Sequence, residues 1–109
     1  KIRFKNVVQY MKTDKVEYDI ALTNGKYIAI IEVKHKFHTN DVDVFITRLS
    51  LLRTEFAKFN HCKIVACIAG FVIPKTTQTK AMNAGLYVFT QSGENIKTLN
   101  TQNFKPKEF

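Results

Sequence analysis

Two apolar runs meet at Asn24-Gly25. This dipeptide is the strongest short-range hairpin signal, because both residues accept the left-handed backbone of a tight turn. Val16 to Thr23 alternate apolar and polar residues before the turn, and Tyr27 to Lys34 form a denser return strand. That density predicts burial on both faces as far as Glu32. Residues 2–11 alternate less strictly, from Ile2 and Phe4 to Val8 and Tyr10, and predict a half-exposed first strand.

The period then changes. Val42, Phe45, Leu49, Leu52, Phe56 and Phe59 recur at spacings of three and four, which predicts one long helix over 40–59. Asn40 is the expected N-cap, with Asp41 and Asp43 in the first turn. Cys62 to Ala69 read as a central strand ended by Gly70. Pro74 and Gly85 bracket a second helix, Leu86 to Gln91 form another strand, and Ile96 to Leu99 a short edge strand after a turn. The order β-β-β-α-β-α-β-β predicts an α/β domain with a central mixed sheet.

The 109 residues allow one domain, spanning 1–109. With 45% hydrophobic and 24% charged residues, the composition excludes a disordered tail, a collagen-like repeat and a coiled-coil rod. No apolar run reaches the roughly 20 residues of a membrane span. Cys62 and Cys67 sit at an odd spacing, form no disulfide framework, and predict a cytoplasmic setting. His61 beside Cys62 is a weak zinc motif without a second ligand pair. Seventeen Lys and Arg against nine Asp and Glu give a net charge of +8, which suggests a polyanionic partner.

The hairpin carries the chemistry. A two-residue turn at Asn24-Gly25 pairs Thr23 with Lys26, placing Glu17 opposite Glu32, Asp19 opposite Ile30 and Lys15 opposite Lys34. Glu17, Asp19, Glu32 and Lys34 then share one face of the sheet. Clustered carboxylates near covered sheet need protons, strong donors or a cation. Hard oxygen ligands with water sites left free suit Mg²⁺ or Mn²⁺. A one-residue bulge would undo this arrangement by flipping one strand's residues to the other face.

Asp19, twelve intervening residues, then Glu32-Val33-Lys34 on a hairpin resembles the PD-(D/E)XK nuclease superfamily. Glu17 to Leu22 with Ile31 to Lys34 is similar to its small bacterial members of unassigned function, and Gly85 to Phe89 sits where they place the last core strand. The resemblance covers roughly residues 10–92. It implies a restriction-endonuclease-like fold, three layers α/β/α around the mixed sheet, and Mg²⁺- or Mn²⁺-dependent phosphodiester hydrolysis. By the same resemblance Asp19 and Glu32 bind the metal with the Val33 carbonyl. Lys34 activates the attacking water, and Glu17, outside the minimal motif, is an auxiliary group. Tyr18 stands where the motif has Pro. The family's core also opens with a helix. Here the chain opens on Lys1 and a strand, so that helix is expected to be missing or replaced.

The expected partner is nucleic acid, DNA ahead of RNA, held through phosphates by Arg3, Lys5, Lys12, Lys15 and Lys36, together with Lys1. A homodimer is compatible with cutting both strands. The alternatives are a non-catalytic nucleic-acid-binding module on the same fold, or a protein-interaction module using the helix stripe. The second requires the stripe to be exposed, whereas the nuclease reading requires it to pack on the sheet.

Overall fold

The computed structural model describes residues 3–109; Lys1 and Ile2, expected in the basic set and in the first strand, lie outside the described residues. The strands are β1 (Asn6–Lys12), β2 (Glu17–Thr23), β3 (Tyr27–Lys36), β4 (Lys63–Val72), β5 (Tyr87–Ser92) and β6 (Asn95–Thr98). They form one sheet in sequence order. β1–β2–β3 and β5–β6 run antiparallel, while β3–β4–β5 run parallel. The helices are α1 (Thr39–Leu49), α2 (Leu52–Glu55) and α3 (Lys75–Asn83). The expected α/β domain with a central mixed sheet is therefore observed, and no described helix is long and apolar enough to cross a membrane.

Val42, Phe45 and Leu49 of α1, Leu52 of α2 and Ala81 of α3 join Ile28, Ile30, Ile64, Ala66, Ile68 and Val88 in one core cluster. Successive strand residues face opposite sides. The helices therefore pack on the face that carries Ile28 and Ile30. On the other face Leu22, Ala29, Ile31, Val65, Cys67 and Phe89 line an open apolar groove of about 600 Å³. Of the three layers expected, the described residues build two: the sheet and one layer of helices.

The helix stripe is buried through Leu52, so it is core and not an exposed interaction surface. The predicted single helix breaks, however. Ser50 caps α1 with its hydroxyl bonded to the Thr47 carbonyl at 2.6 Å, and the chain resumes as α2 and then a 3₁₀ turn, Ala57–Phe59. The N-cap is His38 instead of Asn40; its N–H donates to Asp41 Oδ2 at 2.8 Å. That bond is the largest influence holding the Asp41 carboxyl below its usual range.

The first strand begins at Asn6, so residues 3–5, expected within it, precede it. β4 also runs past Gly70, the expected terminator, to Val72. Gly70 pairs with Lys34, and a Cβ there would meet the Lys34 carbonyl oxygen at 2.8 Å. Glycine serves close approach of the two strands here, not termination. Gly85 does stop α3, with φ +88° and the Leu86 N–H bonded back to the Ala81 carbonyl at 3.0 Å. Gly70→Ala is expected to cost about 1–3 kcal/mol through backbone displacement, measured as a lowered midpoint in denaturant.

Candidate active site

The hairpin turn sits one residue later than its sequence suggests. Asn24 Oδ1 accepts the N–H groups of Lys26 and Tyr27, at 3.0 and 2.8 Å, and the Asn24 N–H donates to the Tyr27 carbonyl. Gly25 (φ +88°) and Lys26 are thus the central residues, and Thr23 pairs with Ile28 instead of Lys26. The register moves by two, which preserves which face each residue occupies. Continued along the strands, it brings Asp19 level with Glu32, where Ile30 was expected.

The ladder between β2 and β3 reaches only Ile20–Ile31. Beyond it, the Asp19 carboxylate takes the place of a backbone acceptor: Oδ2 receives the Val33 N–H at 2.9 Å. The N–H and C=O of one strand residue leave on the same side. The Val33 carbonyl therefore also faces this gap.

A kink accompanies the gap. Tyr18 and Ala21, three residues apart, both enter the helix-side core, which an unbroken strand does not allow. On the neighbouring strand Tyr10, level with Asp19, has φ +52°, and the β1–β2 pairing skips this one position. The kink corrects the placing of Glu17. Its neighbours Val16 and Tyr18 are buried, and Glu17 is exposed, opposite Lys12 on β1 and outside the carboxylate pair. Among the described residues, no three His, Cys, Asp or Glu side chains gather as a metal cluster. The same holds for His61 and Cys62; His61 Nε2 lies 3.0 Å from the Gly25 carbonyl.

Glu32 shares the helix-side face with Ile28 and Ile30 and is 6% exposed. Burial first, then the charge of Asp19, pushes its carboxyl up to about 7. Arg48 and Lys34 pull in the opposite direction. Arg48 Nη1 donates to Glu32 Oε2 at 3.0 Å. Lys34, two residues on and half-buried, approaches Asp41 Oδ1 at 4.0 Å. The sequence does not single out Arg48, because Arg48, Arg53 and Lys58 are scattered around the expected helix. Its signal is its place three residues after Phe45, at the border of the buried stripe.

Asp19, Glu32, the Val33 backbone and Lys34 thus come together, with Arg48 added and Glu17 left out. They lie at the carboxyl end of the parallel strands, where open α/β sheets bind ligands. Lys12, Lys15 and Lys36 are exposed at this same end, Lys15 within 3.9 Å of Glu55. Arg3 and Lys5 lie at the opposite end, beside the hairpin: the Lys5 N–H donates to the Thr23 carbonyl, and the Arg3 carbonyl accepts from Asn24. Cys67 is buried, and desolvation pushes its thiol up to about 12, so it is no nucleophile at neutral pH.

No family model matches the chain, and no curated protein sequence matches it. Among solved structures, the chain resembles the crystal structure of a repair endonuclease from Pyrococcus abyssi, with a TM-score of 0.62 and 12% identity. The match covers 82% of this chain and 38% of that one, so the chain spans well under half of that protein. At this identity the likeness establishes a shared fold.

The Glu32 carboxyl makes stability depend on pH. Its folded value of about 7 lies above the ordinary 4.5, so the folded chain holds a proton that the unfolded chain has released. Stability from this group is therefore full below about pH 4.5 and is lost as pH rises through 7. The loss should be on the order of 2 kcal/mol. Thermal unfolding between pH 4.5 and 8 measures it, and Glu32→Gln should flatten the slope.

Proposed function

We propose that the chain is a metal-dependent nuclease that hydrolyses phosphodiester bonds, acting on DNA ahead of RNA. The observation that carries this reading is the Asp19–Glu32 pair at a broken strand ladder, with Lys34 on the face of Glu32. A sheet gains nothing from a buried carboxylate pressed against a second one. A pure phosphate binder gains nothing either, since carboxylates repel phosphate. The shared fold with a repair endonuclease adds support.

The donor set suits a hard divalent cation. Asp19 Oδ2 is engaged by the Val33 N–H and Glu32 Oε2 by Arg48. The second oxygen of each carboxylate and the Val33 carbonyl would hold Mg²⁺ or Mn²⁺, which keep several waters and need only one or two carboxylates. When bound, such an ion stabilises charge on the phosphate and lowers the pKa of a coordinated water. Lys34 orients or activates the attacking water and supports the phosphate oxygens. Arg48 meanwhile keeps Glu32 compensated in the buried site. Lys12, Lys15 and Lys36 hold the flanking phosphates, at an affinity that falls with salt.

Plasmid, single-stranded DNA and RNA should be incubated with Mg²⁺, with Mn²⁺ and with chelator. Cleavage is expected with metal only. Glu32→Ala and Lys34→Ala, shown folded by circular dichroism, should lose about 10²-fold or more. Equal cleavage by wild type and both variants would overturn the assignment.

A further inference from the structure

Among the described residues, Tyr10 is the one non-glycine residue with a left-handed backbone, φ +52°. An aromatic residue is a poor occupant for that conformation, which Gly, Asn or Asp adopt at less cost. Core packing does not explain it, because Tyr10 is 67% exposed on the edge strand. Nor does it meet another aromatic ring among the described residues. What the strained backbone achieves is placement. Tyr10 lies level with Asp19, and the two line one groove of about 390 Å³ with Gln9, Ile20 and Val33. Unusual backbone held at the rim of a site by its surroundings is a mark of function.

The groove's neighbours define its ligand. Lys12 and Lys15 lie just beyond Tyr10 along the chain, exposed at the same end of the sheet. Lys12 faces Glu17 and Lys15 approaches Glu55 at 3.9 Å, yet two exposed cations beside an exposed ring favour a partner that carries both negative charge and a planar face. A cationic track interleaved with an aromatic surface is how proteins hold unpaired nucleotides. The groove lies on the sheet face opposite Glu32, but Asp19, in the plane of the sheet, belongs to both, so a substrate phosphate at Asp19 would have a neighbouring base within reach of the groove.

We propose that Tyr10 is a stacking platform for an unpaired base beside the scissile phosphate, making the substrate a nucleic acid with a single-stranded or unpaired segment. The assignment rests on the nuclease reading and extends it to a substrate class. Tyr10 is a positioning residue; it takes no part in the bond-breaking step.

The chain has no Trp, so Tyr10→Trp supplies a single fluorescent reporter. It should be titrated, without divalent metal, with a single-stranded oligodeoxynucleotide, its fully paired duplex and an abasic strand of equal length. Binding of each is followed in parallel by anisotropy of a dye on the nucleic acid. The single strand should quench the tryptophan and saturate, and the duplex and abasic strand should quench it far less. Tyr10→Phe should bind the single strand as wild type does. Tyr10→Gly should bind it about 5- to 150-fold more weakly while unfolding at the same temperature or higher, since glycine relieves the backbone. Saturated binding without quenching, equal quenching by the abasic strand, or undiminished binding by Tyr10→Gly would overturn the stacking role and leave the nuclease reading intact. Failure of the wild type to bind or cut any nucleic acid would remove both.

Discussion

The hydrogen bond from the Val33 N–H to the Asp19 carboxylate is the interaction on which the rest of the site depends. In a continuous hairpin that N–H would face a backbone carbonyl of β2, and Asp19 would project from one face of the sheet. Here the ladder stops at Ile20–Ile31, and the side chain turns into the plane of the sheet to replace the missing acceptor. A backbone donor is thereby satisfied. A carboxylate is also fixed beside Glu32, with a backbone carbonyl facing the same gap. Local hydrogen-bond accounting and site construction are one event.

The consequences spread in two directions. Towards the helices, the crowding of Asp19 on Glu32 is countered by Arg48, which α1 presents because Val42, Phe45 and Leu49 anchor that helix on the sheet. The Tyr18 hydroxyl donates to the Arg48 carbonyl, so the residue beside Asp19 also fixes the backbone of the cation opposite. Towards the edge, the kink in β2 is matched by Tyr10 in β1. Two strands deform at one level, which preserves their pairing on either side of the break.

The element order and the Asp19–Glu32–Lys34 grouping were legible because they rest on periodicity and on turn chemistry, both local properties. Asn24-Gly25 announces a hairpin, but Asn24 acts as the side-chain acceptor before the turn and not as a central residue, so the register moves by two. Such a shift leaves faces unchanged, and the grouping of Asp19 with Glu32 survives. The placing of Glu17 does not, because a strand kink held by its own Asp19 carboxylate, which accepts from a backbone N–H of the neighbouring strand, leaves no local signature. Gly70 misleads for a related reason. Its missing side chain answers the approach of Lys34 from a strand 36 residues earlier in the sequence. Likewise, the stripe over 42–59 is real, but Ser50 breaks the helix that carries it, so Phe56 and Phe59 reach the core from a turn.

Three departures from good packing rules coincide in space: the left-handed Tyr10, the ladder gap at Asp19, and the desolvated carboxyl of Glu32. The helix-side core obeys those rules. The core cluster is continuous, α3 ends in a glycine motif, and among the described residues no fully buried side-chain polar atom lacks a hydrogen-bond partner. An ion pair with one buried partner, such as Glu32 with the half-exposed Arg48, is weak support for a fold, since desolvation of the carboxyl offsets much of its attraction. Stability alone would therefore have favoured an apolar pair there, glycine at Tyr10 and an unbroken ladder. Departures scattered through a sheet would read as tolerated noise. Gathered at the carboxyl end of parallel strands, with Lys12, Lys15, Lys34 and Lys36 around them, they support the proposal of a ligand site there.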